Sequence, residues 1–370
     1  MKILVTGGMG FIGSHLVDTL VREGHSVSVF DNLEEQVHQG RKPDYLNRNA
    51  RYVVGDVRDR EAFKEVLLDS EIVFHQAAAV GVGQSMYRIA HYINTNDLGT
   101  ANLLDIIVNE KNRVKKLIVA SSMSIYGEGA YNCPKCGPIM PGLRCEEQLK
   151  KGDWQVYCPL CNSIVKSIPT KEDKALDSTS IYAFSKRHQE EICLLIGKTY
   201  KIPVVALRYF NIYGPRQALS NPYTGVCAIF SSRIKNNHSP IIYEDGLQSR
   251  DFIHVSDIAR ANILAMKDSS FDYKSFNVGS GKPISILEIA NILIKLHGKK
   301  IKPQIINKYR KGDIRHCFAD ISKIKQFGFH ASVDFEDGMK DLVQWSKKVK
   351  AEDRIELANK ELEERGLTSI

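Results

Sequence analysis

The chain has 370 residues, of which 43% are hydrophobic and 25% are charged, with eight cysteines and a net charge of +8. This composition excludes a disordered tail, a collagen and a coiled coil, and a chain of this length buries a large core without a disulfide framework. Its apolar runs are too short for a transmembrane helix and it starts directly with a predicted strand, so we expect a cytoplasmic protein without a signal peptide or a membrane partner.

Strand and helix patterns alternate through the first 125 residues. Short apolar runs rich in β-branched residues predict strands at 3–6, 26–30, 51–54, 72–75 and 116–120. Longer stretches between them predict helices at 11–23, 60–68 and 94–109. This alternation is typical of a parallel sheet with helices on both faces, so we predict an α/β fold with a doubly wound sheet.

The pattern breaks in a segment rich in cysteine, proline and glycine, and then resumes. The later predictions are a helix at 180–200, a strand at 203–208, a long loop to residue 222, helices at 228–235, 255–266 and 286–296, and a charged helix at 351–365. The chain thus divides into a first domain at 1–127 and 177–215, an insertion at 128–176 and a C-terminal segment at 351–370. Residues 216–350 form mainly a smaller α/β lobe, with segments that return to the first domain. The balanced charges of the last helix predict a solvated face or an oligomer contact.

Three glycines follow the first strand with the spacing G-x-x-G-x-x-G, at Gly7, Gly10 and Gly13. Gly7 permits a tight turn, Gly10 lets the backbone approach a pyrophosphate, and Gly13 allows close packing of the following helix, whose N-terminus favours phosphate. Asp31 closes the second strand, where an acid binds the ribose hydroxyls of NAD and repels the extra phosphate of NADP. The alternative is that Asp31 serves only as a turn or cap residue.

A tyrosine and a lysine, Tyr182 and Lys186, lie one helical turn apart. A lysine in this position lowers the pKa of a phenol, which lets the tyrosine act as an acid or base near neutral pH. The spacing alone is more often that of a buried tyrosine beside a solvated lysine. Ser121, Ser122 and Ser124, however, place hydroxyl groups at the end of a predicted strand, where such sheets bind ligands.

Taken together, these motifs resemble the extended short-chain dehydrogenase/reductase family, in particular its nucleotide-sugar epimerases and dehydratases. The resemblance covers the chain outside the insertion. The motifs that carry it follow the family order: Gly7–Gly13, Asp56–Val57, His75–Ala78, Asn96 with Gly99 and Thr100, Ser122, Tyr182 with Lys186, and Arg208–Asn211.

The resemblance implies a Rossmann domain that binds NAD, a nucleotide-sugar substrate, and a homodimer paired through the helix that bears Tyr182. It implies Tyr182 as the acid/base, Lys186 as its electrostatic support and Ser122 as the hydroxyl beside the sugar O4. The implied cofactor residues are Gly7, Gly10, Phe11, Ile12, Gly13, Asp31, Asn32, Asp56, Val57, Gln76, Ala77, Ala78, Asn96, Ser121, Tyr182, Lys186 and Tyr209. The implied substrate residues are Ser122, Ser124, Tyr182, Asn211, Arg250, Arg310 and Asp313.

Within the family, the two residues that follow the hydroxyl residue distinguish dehydratases from epimerases. Sugar 4,6-dehydratases carry Asp-Glu directly after the hydroxyl residue, whereas this chain has Met123 and Ser124, which cannot transfer a proton. A 3,5-epimerase requires a base at C5, and no candidate occupies a matching position. The sequence therefore predicts NAD-dependent 4-epimerisation, by oxidation at C4, rotation of the 4-keto sugar and reduction on the other face.

Four parts of the chain indicate which members of the family it resembles: Asn221–Val226, Tyr243–Phe252, Gly312–Asp320 and the insertion. They resemble bacterial dTDP-L-rhamnose 4-epimerases, which interconvert dTDP-L-rhamnose and dTDP-6-deoxy-L-talose. The alternatives are a UDP-glucose or UDP-N-acetylglucosamine 4-epimerase, another nucleoside-diphosphate-sugar epimerase, and a reductase that consumes NADPH.

Two C-x-x-C pairs within the insertion predict a structural zinc site with the ligands Cys133, Cys136, Cys158 and Cys161, and Cys145 lies between the pairs. Seven basic and six acidic residues in the insertion make it nearly neutral. It therefore lacks the positive charge of a nucleic-acid-binding module. We expect the insertion to cap the sugar pocket or to make an oligomer contact.

Overall fold

Strands in four sheets form the framework of residues 1–369, the part of the chain that the computed structural model describes. In chain order they are β1 (Lys2–Thr6), β2 (Ser26–Asp31), β3 (Arg51–Val54), β4 (Ile72–His75), β5 (Lys116–Ser122), β6 (Ala130–Cys133), β7 (Gly137–Ile139), β8 (Lys166–Ile168), β9 (Val204–Tyr209), β10 (Asn211–Tyr213), β11 (Ile241–Ile242), β12 (Ser249–His254), β13 (Lys274–Val278), β14 (Pro283–Ser285), β15 (Gln304–Ile305) and β16 (His316–Cys317).

Helices connect these strands. The α-helices are α1 (Phe11–Arg22), α2 (Glu35–His38), α3 (Arg60–Leu67), α4 (Val82–Ser85), α5 (Ile89–Tyr92), α6 (Gly99–Asn109), α7 (Glu146–Lys150), α8 (Ile181–Tyr200), α9 (Val226–Lys235), α10 (Val255–Lys267), α11 (Ile286–His297), α12 (Ser322–Lys325), α13 (Phe335–Lys348) and α14 (Ile355–Glu364). A π-helical segment, Ile93–Leu98, leads into α6, and two 3₁₀ turns occupy Met123–Tyr126 and Ser269–Phe271. None of the helices within residues 1–369 is long and apolar enough to cross a membrane.

The largest sheet has seven parallel strands in the order β13-β9-β5-β4-β1-β2-β3, which confirms the predicted α/β fold with a doubly wound sheet. Alternate residues of β1 explain why the sheet is covered on both faces. Ile3 and Val5 pack into one hydrophobic cluster with α1 and α10, while Leu4 packs into another with α3 and α6. A strand that is apolar on both sides has to be buried by helices on both sides.

A second sheet forms the smaller lobe, in which β12 pairs with β10, β14 and β16. Helices α9, α11 and α13 pack around a third hydrophobic cluster beside this sheet. The serine–glutamate capping box at Ser285 and Glu288 starts α11, and Gly298 ends it in the left-handed conformation. Two elements of the predicted lobe, β13 and α10, pack in the first domain.

The insertion folds separately around a small antiparallel sheet in which β6 pairs with β7 and β8. Its own core contains Tyr131, Val156 and Val165 together with the buried side chains of Cys133 and Cys158. This core is too small to account for a stable fold without a further constraint.

Three differences from the sequence-based predictions lie in or near the smaller lobe. The loop expected after β9 contains the short strand β10, and the helix α13 was not predicted at all. The C-terminal helix begins at Ile355 and not at residue 351. Asp353 accepts a hydrogen bond of 3.2 Å from the Ile355 amide and forms a buried ion pair of 3.0 Å with Arg233 of α9.

Candidate active site

A cleft of about 620 Å³ follows the carboxyl ends of the main-sheet strands. One wall consists of the turn after β1, the ends of β4 and β5, and the segment after β9. The smaller lobe supplies the opposite wall with residues from β12 and from the 310–314 segment. The winding direction of the sheet reverses between β1 and β4, and open α/β sheets bind their ligands at that position.

The turn between β1 and α1 requires glycine for steric reasons. Gly7 has a φ of +66°, and a Cβ added there would lie 2.8 Å from the amide nitrogen of Ala77. A Cβ on Gly13 would lie 2.3 Å from the carbonyl oxygen of Gly7. Gly10 has space beside it, with its nearest neighbour at 3.4 Å, and no side chain caps the helix that follows. The turn and the helix N-terminus therefore fit a pyrophosphate group.

Asp31 lies at the cleft wall and is 7% exposed. Its Oδ2 accepts a hydrogen bond of 2.9 Å from the amide of Met9, and its Oδ1 accepts one of 2.9 Å from the amide of Leu33. The residue thus stabilises the turn, as one of the two interpretations of the sequence proposed. Each carboxylate oxygen retains a second lone pair, which leaves acceptor capacity for ribose hydroxyls.

Lys186 connects α8 to the end of β5. Its ammonium group, which is buried, donates to the carbonyl oxygen of Ala120 at 2.6 Å and to the Oε1 of Gln189 at 2.8 Å. Burial lowers the pKa of Lys186 to about 8. Burial raises the pKa of Tyr182, one turn earlier, and the nearby Ser122 hydroxyl lowers it. A tyrosine, a serine hydroxyl and an ammonium group therefore occupy one corner of the cleft.

The turn after β5 fixes the serine hydroxyls. The Ser122 Oγ accepts hydrogen bonds from the Ser124 amide at 3.2 Å and from the Ser124 Oγ at 2.9 Å. The intervening Met123 has a thioether, which has no proton to transfer. This edge of the cleft therefore offers hydroxyl groups and no carboxylate next to Ser122.

Arg250 extends from β12 toward the cleft. Its guanidinium donates to the carbonyl oxygens of Ser249 at 2.8 Å, Arg315 at 2.9 Å and Ile314 at 2.6 Å. Three of its five N–H groups are used in this way, and the Nε–H and one Nη2–H remain. Those two groups form the edge that binds a phosphate in a bidentate manner. Arg310 lies nearby, where its Nε donates to the Oδ2 of Asp313 at 2.8 Å.

Four buried polar atoms in the cleft wall have no hydrogen-bond partner in the described part of the chain. They are the Thr95 Oγ1, the Asn211 Oδ1, the Gln217 Oε1 and the Gln248 Oε1. Buried acceptors without partners are costly in a folded protein. A polar ligand with several hydroxyl or amide donors, such as a dinucleotide together with a nucleotide sugar, matches this pattern.

Most of the residues that the sequence indicated line the cleft, and their individual roles stay predictions. They are Gly7, Gly10, Phe11, Ile12, Gly13, Asp31, Asn32, Val57, Gln76, Ala77, Ala78, Ser121, Ser122, Ser124, Tyr182, Lys186, Tyr209, Asn211, Arg250, Arg310 and Asp313.

Two of the indicated residues, Asp56 and Asn96, bond residues of the wall. Desolvation raises the pKa of Asp56, but hydrogen bonds from Arg58 and Asn32 outweigh it and lower the pKa to about 2. The fully buried Asn96 accepts from the Ala79 amide at 2.8 Å and donates to the Ser185 hydroxyl at 2.9 Å. Both residues therefore support residues of the wall, and their cofactor roles stay predictions.

Sequence reasoning missed the part of the wall that α14 supplies. Ala358 and Leu362 are 2% and 5% exposed and line the cleft with Asn359. The expectation of a solvated face therefore holds only for the outer side of this helix. Small and apolar residues at 355, 358 and 362 were the available signal, but charged neighbours obscured it. Gly8 was also missed, and a Cβ there would lie 2.7 Å from the side chain of Val29.

The four cysteines of the two C-x-x-C pairs converge in the insertion. Their sulfur atoms lie within 4.8 Å of one another, and the Sγ atoms of Cys133 and Cys161 are 3.5 Å apart. Ligands around a tetrahedral zinc ion with bonds of about 2.3 Å are about 3.8 Å apart. The sulfur donors and their spacing therefore fit zinc. Cys145 is exposed and lies outside this group.

The insertion does not line the cleft but packs behind its substrate side. The buried Arg144 donates to the carboxylate of Glu244 at 2.8 and 2.9 Å and to the carbonyl oxygen of Asp313 at 3.2 Å. Leu149 and Trp154 pack against Tyr309. The insertion therefore supports the 309–316 segment, and the structure does not show it as a cap over the sugar pocket.

A family model described as the NAD dependent epimerase/dehydratase family matches residues 3–141 and 161–279. The gap between the two matched ranges falls inside the insertion. The chain is 34% identical over 349 residues to dTDP-L-rhamnose 4-epimerase from Burkholderia thailandensis, covering 93% of this chain and 94% of that protein.

Solved structures show the same similarity. The chain resembles a UDP-glucose 4-epimerase from Thermotoga maritima bound to UDP-glucose, with 32% identity, a TM-score of 0.75, and 94% and 99% of the two chains covered. It also resembles a UDP-glucuronic acid 4-epimerase from Bacillus cereus in complex with UDP-glucuronic acid and NAD, with 26% identity, a TM-score of 0.78, and 95% and 100% covered.

Proposed function

The chain belongs to the NAD dependent epimerase/dehydratase family, and on that premise we propose that it is an NAD-dependent nucleoside-diphosphate-sugar 4-epimerase. The observation that carries the proposal is the corner of the cleft where Tyr182, Lys186 and Ser122 meet beside a glycine turn suited to a dinucleotide. The relatives reported above are 4-epimerases of several nucleotide sugars.

The turn at Gly7, Gly10 and Gly13 and the carboxylate of Asp31 would hold NAD, which would supply a reversible hydride acceptor for C4 of the sugar, so the reaction would consume no cofactor. Tyr182 removes the proton of the sugar 4-hydroxyl and later returns it. The ammonium of Lys186 stabilises the phenolate form, and Ser122 orients the sugar O4 by a hydrogen bond. With Met123 and Ser124 next to it, the site has no second acid/base pair for the elimination of water.

We propose dTDP-L-rhamnose and dTDP-6-deoxy-L-talose as the substrate pair. The similarity to the Burkholderia thailandensis enzyme and the segments Asn221–Val226 and Gly312–Asp320 support this choice. Parts of both segments line the cleft. UDP-glucose and UDP-glucuronic acid are the competing substrates, because relatives of similar identity act on them.

We propose that the insertion binds one structural zinc ion through Cys133, Cys136, Cys158 and Cys161. Four thiolates form a closed site without a position for water or substrate, so the metal would stabilise the fold and not the reaction. The small core of the insertion supports this role, since metal binding replaces missing hydrophobic burial.

We propose a homodimer in which α8 pairs with its counterpart in a second copy of the chain. Phe184 and Leu195, which are 55% and 62% exposed, lie on the same side of that helix. Leu98, in the adjacent π-helical segment, is 45% exposed. Sedimentation equilibrium tests the proposal, since a Leu195→Glu variant that sediments like the wild type would contradict it.

The activity is tested with Tyr182→Phe, which removes only the phenolic oxygen. We expect kcat to fall by about a hundredfold or more, because general acid/base catalysis contributes that much. Tyr200→Phe, at the exposed end of the same helix, is the matched control and keeps full activity. Wild-type turnover in Tyr182→Phe, on a panel of dTDP-, UDP-, GDP- and CDP-sugars followed by NMR, would contradict the mechanism.

A further inference from the structure

The C-terminal helix α14 lies across the cleft between the two lobes. The hydroxyl groups of Tyr87, in the first domain, and of Tyr223, in the loop before α9, both donate to the carboxylate of Glu361 at 2.6 Å, and the two hydroxyl oxygens are 2.6 Å apart. The guanidinium of Arg365 stacks on the Tyr87 ring with its Cζ 4.2 Å from the ring centroid. We call Tyr87, Tyr223 and Glu361 the tyrosine–glutamate clamp.

On the side of the smaller lobe, the residues after α14 pair with the segment that carries Arg310. The Lys311 amide donates to the carbonyl oxygen of Leu367 at 2.9 Å, and Arg310 forms an antiparallel bridge with Thr368. The Ser369 amide donates to the carbonyl oxygen of Tyr309 at 3.0 Å. The C-terminal segment thus touches both walls of the cleft.

The inner side of α14 presents the polar Asn359 and the apolar Ile355, Ala358 and Leu362 to the cleft. Asn359 accepts a hydrogen bond of 3.1 Å from the Tyr243 hydroxyl through its Oδ1, and its Nδ2 has no partner within residues 1–369. The Tyr243 ring stacks on Arg310, with the Arg310 Cζ 4.7 Å from the ring centroid. Leu362 is buried beside the backbone of Gly83, which also lines the cleft.

We propose that α14 is part of the substrate site, a proposal that rests on the proposed function. Asn359 and Leu362 contact the bound nucleotide sugar, Asn359 with its free amide next to Tyr243 and Arg310. Glu361 is a positioning residue that holds α14 against Tyr223 through the clamp.

The chemistry of the reaction gives α14 a second role, which is to retain the 4-keto sugar in the site. During 4-epimerisation the 4-keto sugar turns in the site while the hydride is on the cofactor. A ketone that escapes at this stage leaves the reduced cofactor behind and the enzyme inactive. A wall that contacts both lobes prevents that loss, so the clamp matters for completing the cycle as well as for binding.

The test uses full-length Asn359→Ala and Glu361→Ala, with Glu364→Ala as the matched control on the exposed face of the same helix. From initial rates we expect both test variants to raise KM about tenfold with kcat within about twofold, since each loses hydrogen bonds to a charged or buried partner. Glu361→Ala also accumulates enzyme-bound NADH, visible by absorbance, whereas Glu364→Ala matches the wild type in every measurement.

A second experiment needs no turnover, so it tests this inference independently of the proposed function. In Tyr182→Phe protein, UDP and dTDP are added and amide exchange of residues 355–364 is followed by mass spectrometry. Slower exchange with either nucleotide supports the inference even if no sugar is epimerised. Unchanged exchange with both nucleotides, or test variants that behave like Glu364→Ala, would overturn it.

Discussion

The ammonium of Lys186 donates a hydrogen bond of 2.6 Å to the carbonyl oxygen of Ala120, two residues before Ser122 in β5. This contact joins α8 to the central strand at the point where the cleft begins. Tyr182, one turn before Lys186, and Ser122 therefore belong to one rigid unit. The distance between the acid/base and the hydroxyl that orients the sugar is thus determined by packing in the main sheet.

The buried ammonium predicts a pH dependence of stability. The pKa of Lys186 is about 8 in the folded protein, compared with 10.5 in the unfolded chain. Between these values the unfolded state binds the proton and the folded state does not, so stability rises with pH in this window. The measurement is the free energy of unfolding in urea of NAD-free protein, taken as the difference between the wild type and Lys186→Met. This difference should rise by up to about 3 kcal/mol from pH 8 to pH 10.5. A constant difference would contradict burial of the charge.

Asp31 is expected to control retention of the dinucleotide. Asp31→Asn has one acceptor oxygen in place of two, so either the Met9 or the Leu33 amide loses its partner, at a cost of about 1–3 kcal/mol. The loss of negative charge also removes repulsion of the NADP phosphate. We expect less NAD in the purified variant and weaker discrimination between NAD and NADP in calorimetric titrations. Asp44→Asn, at an exposed site, is the control and should behave as the wild type.

Arg250→Lys tests the diphosphate site, because it keeps the charge and removes the planar fork. Lysine cannot reproduce the three contacts to backbone carbonyls together with a bidentate phosphate contact. We expect calorimetry to show at least about tenfold weaker binding of UDP and dTDP, with NAD content unchanged. Equal affinity in the variant and the wild type would assign the diphosphate to other residues.

The cysteines of the insertion provide an internal control for the zinc proposal. Cys158→Ser should lose the metal in elemental analysis and unfold at lower temperature, whereas Cys145→Ser should keep about one zinc ion per chain. Since Arg144 and Trp154 contact the 309–316 segment, loss of the metal should also raise KM for the nucleotide sugar. A full complement of zinc in Cys158→Ser would contradict the ligand set.

The sequence predicted β3 and β4 with their observed bounds, because short runs rich in β-branched and aromatic residues between polar turns are typical of strands. Of the two, β4 is buried throughout and β3 is the half-exposed edge strand. It did not predict α13, although Met339, Leu342 and Val343 recur at helical spacing on its buried face and Asp334 caps its first turn. The position of α14 over the cleft could not be inferred either, since it depends on the buried ion pair between Asp353 and Arg233. Such long-range contacts leave no periodic signal in the sequence.

The placement of Asp56 and Asn96 shows the same limit within the site. The family resemblance implied both as cofactor residues, and in the structure their polar groups bond Asn32 and Ala79, which belong to the cleft wall. A motif indicates that a residue belongs to a site. Only the packing around it shows whether it lines the cleft or positions a neighbour that does.

The most direct test of the proposed mechanism follows the hydrogen at C4 of the sugar. A nucleotide sugar that the enzyme accepts is labelled with deuterium at C4 and converted in ordinary water, and the epimer is analysed by NMR. Because the hydride returns from the cofactor to the same carbon, we predict that the epimer retains the deuterium at C4. Loss of the label to solvent would contradict transient oxidation at C4 with Tyr182 as the acid/base.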